Sequence, residues 1–535
     1  MSKTFRRLLG LVYAPLRQWR GLDTISPQDL VVDSIASSPE SSSAELEKAN
    51  KGRLDELGLG FEEGEVVVVS LDGTPGADPK RWSPAYKAFV LANVTMIAVL
   101  ITYVSSISAA TTEALSTEFG VSLELAQLST AIFLFGFAFG ALPVAPLSEK
   151  FGRQPIYLVT LLVSSVFTIG TGASRTFAQV LVTRFFAGAS GAAVLAVAGG
   201  SLNDIYNPVE RGYAFPIYAG AGFMGPMAAP VIGTAISQFW DWRWNYYLCG
   251  IVGCVLALFL SAFCPETLGE VILFEKGRVL WKRSQREGET SAGPAIRRPL
   301  RKKTPFGKFL QIVLLKALTM LVHEPVIIYL TSLLSLAYFV FFGYLEALPV
   351  IYGDIHGLEL YQVGLCFVPI LIGAGLATLG SMPLARAYAR ETKRGSTMPP
   401  PERRLIPLII GGFVLPISLF WQGWAGGYAG VSIWASLPSG LGVGFSTVFI
   451  FISTYQMLID TYHAHASSAI AANVMVRYCF AGGAVMAARP MFINMRPQWA
   501  CTLLGCVAIA MIPFSFIFYY KGEKIRQMSR FVPTD

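Results

Sequence analysis

Charge is scarce in this chain. Lys, Arg, Asp and Glu together make up 14% of its 535 residues, against 53% hydrophobic; soluble domains average about a quarter charged. With a mean hydropathy of +0.52, most of the chain has to be dissolved in lipid. Histidine is nearly missing: His323, His356, His463 and His465 are scattered at loop edges, and the last two, alone in one loop, make no metal site. The seven cysteines, Cys249, Cys254, Cys264, Cys366, Cys479, Cys501 and Cys506, fall within or at the ends of apolar runs. None has metal-ligand spacing, so they read as small packing residues. No Walker-type phosphate loop and no catalytic constellation occurs, so neither ATP drive nor an enzyme is indicated, and no cofactor or metal is expected. A net charge of +8 points to no nucleic-acid partner, because the basic residues sit in a few loops between apolar spans.

What the chain does have is long apolar runs. A window of about 19 residues finds them near 88–110, 125–147, 155–173, 178–200, 213–236 and 246–264, then near 326–350, 363–383, 405–423, 431–458, 467–488 and 499–520. The expected fold is an all-α membrane protein with twelve transmembrane helices in two six-helix halves, 81–264 and 326–520. A basic central loop, 265–325, separates them, and a tail follows at 521–535. Residues 1–80 precede the bundle. Their first 21 alternate Lys3, Arg6, Arg7, Arg17 and Arg20 with apolar residues, too short to span. Two readings fit: an amphipathic segment on the inner leaflet or a basic tail. No small-residue cleavage site follows, so a cleaved signal peptide is not expected. Residues 22–80, rich in Ser and acids, look disordered.

Loop charge sets orientation. Lys276, Arg278, Lys282, Arg283 and Arg286 begin a basic run in the central loop, Arg386, Arg390, Lys393 and Arg394 lie between the eighth and ninth spans, and Lys521, Lys524 and Arg526 follow the twelfth. The alternate loops carry Glu113, Glu118, Glu124, Asp354 and Glu359. The basic side is the cytoplasmic one, which puts both termini inside. Arg489 and Arg496 depart from the pattern. The plasma membrane is the first expectation and the vacuolar membrane the second.

Ser148-Glu149-Lys150-Phe151-Gly152-Arg153 joins the second and third runs as a tight charged turn, with Gly152 allowing the reversal. Arg184-Phe-Phe-Ala-Gly188 opens the fourth run. An arginine within a span costs a few kcal/mol (~3 or more) and usually marks function; its alternative is a side chain snorkelling to the interface. The fifth run holds Gly225-Pro226, Pro230, Gly233 and Thr234. Trp242-Arg243-Trp244, Pro265-Glu266-Thr267, His323-Glu324-Pro325, Pro400 to Leu405 and Ser468 to Arg477 add further strings. Together these resemble the major facilitator superfamily, and within it the fungal twelve-span drug:proton antiporters that export drugs, polyamines, toxins and secondary metabolites. The likeness covers about 80–525. It implies that the turn latches the halves together, with Asp204 and Arg211 as possible partners, that Arg184 serves proton coupling, and that the fifth-run motif marks antiport rather than uptake. Some positions depart from the pattern. Glu149 stands for the usual Asp, Ala145 and Thr234 stand for glycines, and Ser105-Ser106 lacks the proline that often follows. Arg489-Pro490-Met491-Phe492 is a charged variant of the eleventh-run ending. A weak internal echo, Gly140 to Val144 against Gly380 to Leu384, fits two repeated halves.

For cargo, the seventh run offers Tyr338, Phe342, Tyr344 and Glu346, the one acid embedded there, beside Phe339 and Phe341. These aromatics suit an amphiphilic or cationic ligand, or else they face core and Glu346 marks an interface. Asn473 and Arg477 share one helix face and suit an anionic or hydroxylated ligand, or form a structural pair; Tyr455 and Gln456 are further candidates. The expected function is proton-coupled export of small organic molecules by a monomer in lipid, with Glu346 taking the proton and Arg184 tuning it. Two alternatives stay open: a facilitator or uptake carrier for an organic acid or polyamine, and a receptor on a transporter fold.

Overall fold

The computed structural model describes residues 59–60, 78–275, 300–301, 315, 317–394, 399–462 and 466–527. The N-terminal amphipathic stretch and most of the basic central loop lie outside the described residues. Ten helical spans are continuous: Pro84–Phe119, Leu123–Phe151, Arg153–Gly172, Phe177–Ile205, Pro208–Phe239, Arg243–Phe263, Pro325–Ile355, Leu360–Arg394, Pro401–Gly426 and Ile433–Tyr462. Ala466–Gln527 holds the eleventh and twelfth, broken where Arg496 takes φ 64° and ψ 150° before Pro497. The fold is therefore twelve membrane helices in two sets of six. A two-residue antiparallel pairing, Leu59 with Arg301, stands outside the bundle.

Span starts follow from local chemistry. Ser83 accepts from Tyr86 N ahead of Pro84, Ser122 from Leu125 N, and Asn207 with Glu210 forms a capping box ahead of the fifth span. Each satisfies N–H groups that a helix start leaves open. Within each half, glycines let helices touch backbone to backbone. A Cβ on Gly140 would lie 2.0 Å from Ala189 O, and one on Gly188 would lie 2.1 Å from Phe133 O, so the second and fourth spans are in direct contact. In the other half, Gly373 against Leu441 O and Gly444 against Ile370 O, both at 2.1 Å, do the same for the eighth and tenth. Small-residue seams of this kind are how membrane helices pack without a hydrophobic driving force.

Across the halves, the second span meets the eleventh and the fifth meets the eighth. Phe137 stacks on Tyr478 at 4.3 Å. The seventh span is buried nearly throughout, whereas the sixth leaves Val255 and Leu258 facing outward, as a lipid-contacting helix does. One difference from the expected loop appears at 317–323, which is helical. Ala317 there packs with Leu142 and Ala472, because this piece of the 265–325 stretch is itself apolar.

Candidate functional site

The charged turn gathers one end of the bundle, here called the turn end. Gly152 takes φ 100°, a value open mainly to glycine. Arg153 Nε donates to Asp204 at 3.1 Å and Nη1 to Ser148 Oγ at 2.6 Å. The Glu266 carboxylate, arriving from beyond the sixth span, accepts Arg153 N at 2.8 Å and Gln154 N at 3.3 Å, capping the third span. Burial pushes the Glu266 carboxyl above the ordinary carboxylate range, against the pull of the Leu268, Arg153 and Thr267 N–H groups and the Arg153 charge. Glu149 accepts a hydrogen bond from Ser467 of the eleventh span, which links the turn to the other half. Lys150 is half-buried beside it.

Asp204 thus meets the turn as expected, but Arg211 does not. Arg211 bonds to Asn203 and crosses to Asp460 of the tenth span. Its position one turn into the fifth span points it at the other half rather than at the turn. Asp460 also accepts from Arg404 Nε at 3.0 Å. The same arginine donates to Gln456 Oε1 and to Pro208 O, each at 3.0 Å, and stacks 3.7 Å above the Tyr388 ring. Asp460 therefore bridges a cation from each half.

At the opposite end, Gln127 Nε2 of the second span donates to Glu346 Oε2 at 2.6 Å, again between halves. Both groups are buried, and Glu346 Oε1 and Gln127 Oε1 have no hydrogen-bond partner. Nearer the rim, Gln238 and Glu359 join the fifth and eighth spans.

Between these contacts lies a narrow pocket. Six spans wall it, through Thr102, Leu195, Pro226, Phe342, Phe451 and Tyr478 among others. Tyr338 and Phe342 are among its walls; Tyr344 and Glu346 are buried elsewhere. Arg477 adjoins the cavity. Its guanidinium carbon sits 4.6 Å from the Tyr338 ring and 5.1 Å from those of Phe451, Tyr455 and Tyr478, three of which are cavity walls. None of its three side-chain nitrogens makes a hydrogen bond. Asn473, one turn away, donates to Thr331 at 3.0 Å rather than pairing with Arg477.

The Major Facilitator Superfamily model matches residues 92–487. The chain belongs to the major facilitator superfamily. It is 35% identical over 476 residues to the MFS-type transporter kojT of Aspergillus flavus, covering 88% of this chain and 83% of that one. To the MFS-type transporter traF of Penicillium crustosum it is 31% identical over 462 residues, covering 86% and 92%. Among solved structures, a proton:xylose symporter, XylE, shares the fold at a TM-score of 0.59 and 16% identity, over 82% of this chain and 97% of that one. This major facilitator is a multi-pass membrane transporter, not an enzyme.

Two family motifs of this major facilitator turn out to brace the bundle. Arg184 is wholly buried, so it does not snorkel. It donates to Val104 O at 2.8 Å, Ser105 O at 3.1 Å and Ser129 O at 3.1 Å, and lies 4.3 Å from the Phe133 ring. Val104 and Ser105 stand where the first span tightens into the 3-10 turn Ile107–Thr111, which frees carbonyls for it. Arg184 and Glu346 are not bonded to each other. In the fifth span, a Cβ on Gly225 would meet Thr102 Oγ1 at 2.3 Å, and one on Gly233 would meet Ile107 Cδ1 at 2.7 Å, so both allow the first span to lie close. Pro226 lacks the N–H that Gly222 O would take in a helix; Thr102 Oγ1 lies 2.8 Å from that oxygen. Thr234, the departure from the motif, is accommodated because residue 364 opposite it is glycine: a Cβ there would lie 2.2 Å from Thr234 Oγ1.

Sequence reading assigned no role to Gln127, Arg404, Asp460, Tyr218 or Ser467. A signal existed for one pair. Arg153 precedes Asp204 by 51 positions and Arg404 precedes Asp460 by 56, each joining the start of one span to the end of the next in its own half.

Proposed function

We propose that this transporter exports small organic molecules of the secondary-metabolite, toxin or drug kind by alternating access, in exchange for protons. The observation that carries this is the pocket between the halves, with cross-half contacts on either side of it. Alternating access needs one central site and two closures that open in turn. Asp460 with Arg211 and Arg404, and Glu149 with Ser467, form the turn-end closure. Gln127 with Glu346 forms the other.

Glu346 is the proton-carrying group. Ionised, it accepts the Gln127 amide as a charge-assisted bond; protonated, it holds that amide more weakly, and the far end is freed to open. Antiport then requires the proton to be given up when the turn end opens. Gly225, Pro226, Pro230 and Gly233 support export through their likeness to the antiporter motif. The basic loops support a cytoplasmic position for the turn end and both termini. The protein acts as a monomer, in the plasma membrane, with proton drive and no cofactor.

The reading is tested in yeast cells given this chain and challenged with a panel of small aromatic and amphiphilic compounds. The expected result is lower accumulation of some of them, reversed by a protonophore. Raised accumulation would mean uptake instead.

A further inference from the structure

We propose that the central cavity takes organic anions, with Arg477 as the counter-charge. This rests on reading the cavity as the cargo site. Arg184 and Arg477 are both fully buried but differ in their partners. Arg184 spends its nitrogens on three backbone carbonyls. Arg477 is equally buried, yet Nε, Nη1 and Nη2 all lack partners, and among the described residues no carboxylate bonds to it. A buried cation without a charged partner is costly; four surrounding rings offset part of that cost, and the nearby Tyr455 hydroxyl is a neutral group only.

The neighbouring polar atoms are donors too. The hydroxyls of Tyr218 and Tyr455 are buried and unpartnered, and Tyr218 faces the cavity. An oxyanion satisfies all of these at once, since guanidinium is a forked donor matched to planar oxyanions. The walls Phe223, Phe341, Phe342 and Phe451 suit a flat apolar body. The cargo class is therefore a carboxylate or sulfonate on an aromatic or planar frame. Neither Arg477 nor Glu346 is itself a wall, but Arg477 lies directly behind Tyr338, Phe451 and Tyr478 and repels cations, whereas Glu346 is held by Gln127 at the far-end seam.

Thermal unfolding of the full-length protein in detergent tests this. The probes are millimolar benzenesulfonate, neutral benzenesulfonamide and benzyltrimethylammonium, each at matched ionic strength. Benzenesulfonate alone is expected to raise the Tm. Arg477→Gln abolishes the rise and Arg477→Lys keeps part of it. An equal response to all three probes, no response to any, or a rise retained in Arg477→Gln overturns the proposal. Should Arg477→Gln fail to fold, Tyr455→Phe, which deletes one hydroxyl, is expected to reduce the benzenesulfonate response, and an unchanged response overturns it. Benzenesulfonate binding without proton-driven export leaves this inference standing and removes the export reading. Export of neutral or cationic compounds with no anion binding does the reverse.

Discussion

Arg184 and Arg477 are the same residue type, at the same burial, with opposite surroundings. Sequence marked both as arginines inside spans but could not tell them apart, because the groups that satisfy Arg184 are main-chain carbonyls, which every residue carries. Two of them, Val104 O and Ser105 O, stand where the first span changes helix type at Ile107–Thr111, and the third, Ser129 O, belongs to the second span. Arg184→Ala leaves three buried carbonyls short of a donor, at about 1–3 kcal/mol each. The expected outcome is a protein that unfolds well below wild type in detergent, whichever transport assay is used. Arg184→Lys should not rescue it, because one ammonium cannot span carbonyls of two different spans. Normal stability with selective loss of proton coupling would instead make Arg184 part of the proton path. For the seventh span the sequence leaves two readings, cargo contacts or core aromatics with Glu346 at an interface. Only some of these residues face the cavity, since helix rotation sends Tyr338 and Phe342 inward and Glu346 to the far-end seam.

At the scale of elements, most of the architecture was legible. Twelve apolar runs and the reversal at Gly152 are local features, and they fall where the residue types demand. The glycine seams were legible as motif, though not by partner. Gly225 and Gly222 separate packing from cavity. A Cβ on Gly225 would run into Thr102 Oγ1 at 2.3 Å and Val99 O at 2.6 Å, so Gly225→Ala should cost about 1–3 kcal/mol by overpacking. A Cβ on Gly222 meets nothing within 4 Å and points to open space beside the cavity. Gly222→Ala should therefore unfold like wild type while changing which compounds are handled. Paired unfolding curves and cargo profiles check both, and equal destabilisation of the two variants would contradict the packing assignment.

In the whole molecule, the two halves repeat one ion pair, Arg153 with Asp204 and Arg404 with Asp460, although their sequences show only a faint echo. Its second copy is the one that reaches across, through Arg211. Such cross-half partners stood beyond sequence reading for a physical reason. Gln127 and Glu346 are 219 positions apart, and Glu149 and Ser467 are 318 apart, so neither periodicity nor motif spacing connects them. The asymmetry predicts different phenotypes. Asp460→Asn removes the bridge between halves and should shift the population toward the state open at the turn end, seen as greater labelling of a cysteine placed in the cavity by a reagent supplied from the cytoplasmic side. Asp204→Asn breaks a pair within one half and should lower stability with a smaller shift in labelling. Identical labelling of the two variants would show that Asp460 is not the closure.

The central claim is that a cavity closed at both ends passes cargo one way as Glu346 passes protons the other. Everted vesicles with an acid interior measure this, using labelled benzenesulfonate, which cannot cross lipid as a neutral acid. The account predicts accumulation that a protonophore abolishes and that Glu346→Gln uncouples from the gradient while benzenesulfonate still binds. Gradient-driven accumulation undiminished in Glu346→Gln, or accumulation indifferent to the gradient in the wild type, would contradict it.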